Sequence, residues 1–352
     1  MDLSTRAQLR KAIAARGSLQ RELHAQARRA RLAAVGDAVY FRGIIECSNI
    51  CEKNCLYCGI RRGNRAVRRY RMSLEEVAAC VAFIHKARYG SVVLQAGELT
   101  FPDAKEYFLA IVRSIRERFP EMGITLSLGE QDQPFLRELK EAGAHRYLLR
   151  IETSVPRLYR RLHPANHSLA RRKKCLRDLR GLGYQVGCGN MIGLPGQTLD
   201  DMVDDLLFFR DGDFDMFGLG PYVIHRDTPL ATPRTVAWWE ERREEIFQRT
   251  LNVIALLRIL MPTCNIAAAT ALDVFHKDGR EQALRAGANV LMPSVTPSAY
   301  RHAYLLYQRK PCLDGDAERC GRCIVRKAER ANLRPALGVQ GTSLHFLHRT
   351  HG

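Results

Sequence analysis

Residues 40–60 read YFRGIIECSNICEKNCLYCGI, an apolar run that breaks into a loop carrying Cys51, Cys55 and Cys58. Residues 40–47 have the length and apolar content of a strand buried on both faces. Seven more short apolar runs follow, at 91–97, 123–129, 146–152, 184–193, 215–222, 264–270 and 288–294. Helical patterns lie between them. Residues 73–89 open on Ser73 with Glu76 three positions later, a capping box. Residues 103–119 start at Asp103, and residues 198–211 place Asp in the first turn, against the helix dipole. Eight such β–α units predict a (β/α)8 TIM-type barrel over 40–310, with a doubly wound sheet as the layout that periodicity alone leaves open. An N-terminal helical extension (1–39) and a C-terminal cysteine-containing cap (311–352) flank it. In a barrel the loops after the strands form the catalytic face. The cysteine loop is expected there.

The chain has 352 residues, 46% of them hydrophobic and 26% charged, enough for a sizeable core. No run of 18 apolar residues appears, so no membrane span is expected. The Arg- and Ala-rich N-terminus has the look of a transit peptide, but Asp2, Glu22 and Asp37 favour an amphipathic, solvated helix pair. Lys and Arg number 55 against 37 acidic residues, a formal charge of +18. The basic residues are spread, with RRGNRAVRRYR after the cysteines and RRKK at 171–174, and no aromatic-interleaved binding stripe stands out. Nucleic acid is therefore not the expected partner.

Eleven cysteines without a secretory signal point to a reducing, cytoplasmic compartment and to metal ligation. Cys51-x3-Cys55-x2-Cys58 supplies three soft thiolates on one loop, as an iron–sulfur cluster requires. With no obvious fourth ligand, one iron stays open to chelate the methionine end of S-adenosylmethionine (SAM). Structural zinc, the competing reading, usually takes paired Cys-x2-Cys units and four ligands. Cys47 is expected to be a small buried residue.

This spacing, with aromatic Tyr57 before the last cysteine, resembles the radical SAM superfamily. The similarity extends from about residue 40 to 325. RGIIECSNICEKNCLYCGIRRGN, SVVLQAGE, LSLGE, RYLLRIET, GNMIGLPGQT, HRDTPLA, GANVLMPSVTP and YRHAYLLY occur in the order found in the E-type maturases of the FeFe-hydrogenase H-cluster. Methylornithine synthase and biotin synthase are close relatives of that family. The resemblance implies a SAM-cleaving 4Fe–4S cluster on Cys51, Cys55 and Cys58 and a 5′-deoxyadenosyl radical acting on an iron–cysteine synthon carrying CO and cyanide. It further implies an auxiliary 2Fe–2S or 4Fe–4S cluster on Cys312, Cys320 and Cys323, which some members of the family lack.

For the cofactor, the resemblance implies Arg172 on the SAM carboxylate and Gly97 and Glu98 in the turn that receives its ammonium. Tyr57, Ser127, Glu152 and Met191 complete the cofactor set. Strand alternation puts Glu152 on one face with Arg150, so a salt bridge between them is also expected. Arg42, Gln95, Thr125, Thr270, Tyr304 and Tyr307 are expected to face substrate, the two tyrosines sharing one helix face. Ala96, Ala269, Ser294 and Arg226 depart from the family's usual residues near the expected cavity, which leaves the substrate's identity open. Implied partners are a small organometallic or amino-acid-derived substrate, an external one-electron donor of ferredoxin or flavodoxin type, and other hydrogenase maturases. A radical SAM mutase of the methylornithine synthase type is the rival enzyme, and a basic zinc-containing nucleic-acid-binding protein is the rival from another class.

Overall fold

A computed structural model describes residues 2–98 and 101–351. Eight parallel strands follow in chain order: β1 (Ala38–Ser48), β2 (Ser91–Ala96), β3 (Gly123–Ser127), β4 (Arg146–Leu148), β5 (Gln185–Cys188), β6 (Met216–Phe217), β7 (Asn265–Ile266) and β8 (Val290–Leu291). Each pairs with the next, and β8 pairs with β1 through Tyr40–Val290 and Phe41–Leu291. A bridge between Ala267 and Val290 joins β7 to β8 and closes the ring. The chain is thus a (β/α)8 barrel, and the doubly wound alternative is excluded.

Alternation along the strands explains the barrel's contents. Outward residues such as Phe41, Ile45, Val92, Leu94, Ile124, Leu126, Val186 and Ile266 are wholly buried beneath the helices. Cys47 is among them, as expected. Inward residues form layers instead: Arg42, Ser91, Arg146 and Asn265 at the bottom, then Ile44, Val93, Thr125 and Leu148, then Glu46, Gln95, Ser127 and Arg150 facing the mouth. The expectation of strands apolar on both faces therefore holds for the outer face and largely for the middle inward layer, while the bottom and mouth layers are polar. Several predicted runs are shorter as strands. Residues 146–152 keep only Arg146–Leu148, and the runs at 184–193 and 215–222 each break, with Met191–Ile192 pairing Gly220–Pro221 above the main ring.

Local signals set the helix starts. Ser73 and Glu76 form their capping box before Leu74–Lys86, as do Thr198 and Asp201 before Leu199–Asp211. Asp103 stands at the start of Ala104–Arg118 but makes no side-chain cap, because Arg71 takes its carboxylate at 2.7 and 2.8 Å. The N-terminal helices α1 (Arg6–Ile13) and α2 (Gly17–Val35) are not a solvated pair. Leu9, Ala12, Ile13, Leu23 and Ala27 are buried in the main core, and Asn252 bonds the carbonyls of Ile13 and Ala15.

The C-terminal segment does not cap the mouth alone. Its helix Ala317–Arg330 carries Cys320 and Cys323, then Arg334–Ala336 pairs with the start of β1, and residues 340–343 close the barrel's lower end. The Gly341 carbonyl accepts from Arg42 and Asn265, and the Gln340 carbonyl from Ser91 and Arg146. No helix among the described residues is long and apolar enough to cross a membrane.

Candidate functional site

The mouth of the barrel opens into a cavity of about 340 Å³. Cys51, Cys55 and Cys58 line it together, with Tyr57 between them in sequence. The loop that carries them is held by backbone hydrogen bonds to itself and to distant segments. Leu56 N donates to Leu162 O at 2.8 Å, Gly59 N to Leu306 O at 3.0 Å and Arg62 N to Lys53 O at 2.8 Å. The Arg69 guanidinium donates to the carbonyls of Asn49, Ile60, Arg61 and Asn64 at 2.6–3.3 Å. Gly97 lets β2 approach this loop, since a Cβ there would lie 2.3 Å from Ile50 O and 2.6 Å from the Cys51 Cβ. The Glu98 amide then donates to Cys51 Sγ at 3.3 Å.

The donor set suits an iron–sulfur cluster: three thiols on one loop, facing one cavity, with a backbone amide aimed at a sulfur. Burial pushes the Cys55 thiol up to about 12 and raises Cys51 and Cys58 as well, so these sulfurs need a metal's positive charge to sit there as thiolates. Among the described residues, no group of three or more His, Cys, Asp or Glu side chains converges as a single-ion site would. A cuboidal cluster, which binds each cysteine on a different iron, does not require that convergence.

Beside the cysteines lies a buried ionic group that sequence reading captured only in part. Arg172 donates from Nε to Glu130 at 2.7 Å and from Nη1 to the Arg150 carbonyl at 2.9 Å, and its Nη2 is 3.5 Å from Glu98. Lys53 sits 3.0 Å from Glu98 and 3.4 Å from Glu130. Burial raises the Glu98 carboxyl, and Arg172 and Lys53 only partly offset it. Burial also opposes ionisation of Glu130, but Arg172 outweighs it and holds that carboxyl below its ordinary value. Burial likewise opposes the Lys53 charge, which Glu98 and Glu130 restore. The group can receive both a carboxylate and an ammonium. Lys53 and Glu130 were not singled out from sequence. Lys53 stands inside the cysteine motif and Glu130 ends LSLGE, and those positions were the available signals.

Glu152 also lines the cavity, in a left-handed backbone conformation (φ +62°) and paired to Arg150 at 2.8 Å. Ser127 and Met191 line the same wall. Tyr57 packs edge-on against His163, which stacks on Tyr159. Gln95, beside Ser127 in the strand register, donates to the Tyr304 hydroxyl at 3.0 Å, and Thr270 and Tyr307 also line the cavity. Tyr304 and Tyr307 do not share a helix face. The helix there is only Ser298–Arg301, and an irregular loop carries both rings inward. Glu46 and Lys310, also missed from sequence, pair at 2.5 Å in the same wall.

Two expected substrate residues stand elsewhere. Arg42 lies four residues below Glu46 on β1, about 13 Å down the barrel. There it bonds Met216 Sδ and the Gly341 carbonyl. Thr125 lies one inward position below Ser127 and faces, with Arg42, a separate void of about 20 Å³. Alternation predicts direction but not depth, and neither residue lines the mouth cavity. Of the departures, Ala96, Ala269 and Ser294 line that cavity, whereas Arg226 is 80% exposed on the surface.

Cys312 and Cys320 line the far side of the mouth cavity, between Arg280 and Arg301. A hydrogen bond from Cys320 and the Arg280 charge hold the Cys312 thiol below its ordinary value. Arg301 donates to the carbonyls of Cys312 and Gly315. Cys323, expected to join them, is exposed and outside the cavity lining. Both cysteines lie on the helix Ala317–Arg330, where Cys320 is buried and Cys323, three residues on, sits at the solvent edge.

The sequence profile of the Radical SAM superfamily matches residues 45–209. The chain is 45% identical over 303 residues to the [FeFe] hydrogenase maturase subunit HydE of Thermotoga maritima, covering 86% of this chain and 83% of that protein. It is 26% identical over 318 residues to 3-methylornithine synthase of Methanosarcina acetivorans, covering 90% and 85% of the two chains. A crystal structure of methylornithine synthase superposes with a TM-score of 0.81 at 26% identity, covering 95% of this chain and 94% of that one.

Proposed function

Since the chain belongs to the radical SAM superfamily, and within it to the HydE maturase family, we propose that it cleaves SAM reductively and acts on the iron–cysteine synthon in FeFe-hydrogenase H-cluster maturation. The observation that carries the reading is the meeting of Cys51, Cys55 and Cys58 with the Arg172–Glu98–Lys53 group in one buried cavity. A 4Fe–4S cluster on those cysteines would supply one electron to bound SAM, splitting its C5′–S bond to give a 5′-deoxyadenosyl radical. Arg172 would hold the SAM carboxylate with the planar fork that now meets Glu130. Glu98 and the Gly97 turn would receive the ammonium, Glu152 and Ser127 the ribose, and Met191 the adenine. Tyr57 and the rings behind it exclude water from that side. Gln95, Thr270, Tyr304 and Tyr307, which line the same cavity, would orient the substrate within reach of the radical.

An auxiliary cluster on Cys312, Cys320 and Cys323 fits the reading only if Cys323 turns inward or exogenous thiolate replaces it. A cytoplasmic, reducing compartment and other hydrogenase maturases are the matching surroundings. The mutase reading is favoured by the TM-score to methylornithine synthase. Anaerobic reconstitution with iron and sulfide, then dithionite and SAM, is expected to yield 5′-deoxyadenosine. Its absence would overturn the reaction class. Formation of methylornithine would move the assignment to the mutase reading.

A further inference from the structure

Between Lys53 and Leu74 the chain carries Arg61, Arg62, Arg65, Arg68, Arg69 and Arg71 and no acidic residue. The structure divides these arginines by task. Arg69 is spent on four backbone carbonyls of the cysteine loop, and Arg71 on Asp103. Arg62 and Arg65 are exposed with no acidic partner among the described residues, and exposed Arg68 makes one bond, to the Ala299 carbonyl at 3.1 Å. This collar is fastened to the cluster loop itself: Arg61 N donates to the Cys58 carbonyl at 3.2 Å, and Arg62 N to that of Lys53 at 2.8 Å.

Beside the collar the surface sinks into a depression of about 310 Å³ lined by Ala66, Val67, Arg68, His225, Arg226 and His302. Its acidic groups are few. Asp227 lies 3.9 Å from Arg226, and Asp314 pairs with His302 at 2.8 Å. His225 connects the floor to the cysteine motif, because a Cβ at Gly59 would stand 2.4 Å from its ring. A concave cationic face therefore backs directly onto the loop that holds Cys58. Arginines left unpaired on a folded surface raise the local potential, and clustering them beside one loop does so at one place.

We propose that the Arg62–Arg65–Arg68 collar and its adjoining depression are the docking surface for an acidic one-electron carrier protein. This rests on the cluster reading above, which requires one electron per turnover from outside the chain. In the docked pair the reduced carrier loses one electron and the cluster gains it. No bond is made or broken and no proton moves in that step. Charge complementarity orients the carrier with its redox centre toward the Cys58 side of the loop.

The test uses the reconstituted holoenzyme and a purified bacterial flavodoxin, photoreduced, with dithionite as the small-molecule comparison. Triple reversal R62E/R65E/R68E is expected to lower the flavodoxin-driven rate of 5′-deoxyadenosine formation about 10–100-fold, with the dithionite-driven rate within about twofold of the parent. Affinity for oxidised flavodoxin, read by calorimetry, should fall at least about tenfold, and its salt dependence should flatten. The milder R62Q/R65Q/R68Q should fall between parent and reversal, which guards against misfolding of the reversal variant. Unchanged flavodoxin rate and affinity in both variants would overturn the proposal. So would duplex DNA that displaces flavodoxin from the parent at physiological salt and loses affinity in the variants. If the parent makes no 5′-deoxyadenosine with dithionite, the cluster reading fails. The docking proposal fails by itself only when dithionite works and flavodoxin is indifferent to the collar.

Discussion

Two groups of three cysteines lie near the mouth of this barrel, and they are built differently. Cys51, Cys55 and Cys58 lie within one loop whose backbone is pinned at Leu56, Gly59 and Arg62 and laced from below by Arg69. Cys312, Cys320 and Cys323 straddle a loop and a helix. Cys312 sits at φ +64°, and Arg301 ties its carbonyl from a distance. The first group brings all three sulfurs to the cavity, the second only two. A short loop can impose the geometry of its own ligands, whereas a ligand set spread over two elements depends on how those elements dock.

The largest expected contrast comes from removing one sulfur on each side. Cys58→Ala should abolish 5′-deoxyadenosine formation, by more than about 1,000-fold, since no other thiol can replace it on the loop. Cys320→Ala should leave SAM cleavage within a few-fold of the parent and lower only the iron count. Equal losses in both variants, measured by iron content and 5′-deoxyadenosine yield, would erase the distinction between the groups.

Next in size is the difference between the two arginines. Arg69→Ala leaves four part-buried carbonyls of the cysteine loop without this donor and is expected to cost about 1–3 kcal/mol in denaturant unfolding. Arg301→Ala removes bonds from a looser segment and should cost less. The reverse order would show that the second group is the more tightly determined one.

The smallest effect is pH-dependent and belongs to the first group alone. Burial, together with the Arg172 charge, pushes His163 down to about 3, against its ordinary value near 6.5. The folded chain thus keeps this ring neutral where the unfolded chain protonates it. Its share of stability is complete above about pH 6.5 and drains away as pH falls toward 3, by at most about 1.4 kcal/mol per pH unit. His163→Phe should flatten that part of the stability–pH curve, read by thermal melting between pH 7 and 5. An unchanged slope would place the ring in a wetter setting.

The barrel was legible in the order of apolar runs, and the first cysteine group in its spacing, because both are local patterns. The ends of the strands were less so. Residues 149–152 alternate Leu149 and Ile151 with Arg150 and Glu152 as a strand would, and Leu149 and Ile151 still bond the carbonyls of Gly187 and Gly189. Yet the regular strand ends at Leu148, and Glu152 turns into the left-handed region. Tyr304 and Tyr307 reached the cavity as expected, but by a loop, since spacing of three residues is necessary for a shared helix face and not sufficient for a helix. Asp103 was a sound cap by type and lost that role to Arg71, a partner distant in sequence.

What the sequence determined by itself is therefore the alternation of eight apolar runs with helices, the cysteine loop at the end of the first run, and the pairing of Arg150 with Glu152. Closure of the ring came instead from the pairings of Tyr40 and Ala267 with Val290. Depth and company were decided only by the tertiary structure. Arg42 became part of the barrel floor because residues 340–343 cross beneath it, and Lys53, Glu98, Glu130 and Arg172 became one ionic group because three loops and the helix Leu169–Gly181 meet at the same mouth. Periodicity is a property of neighbours along the chain. Which buried charge finds which counter-charge is settled only when distant segments have been brought within a few ångströms and stripped of water.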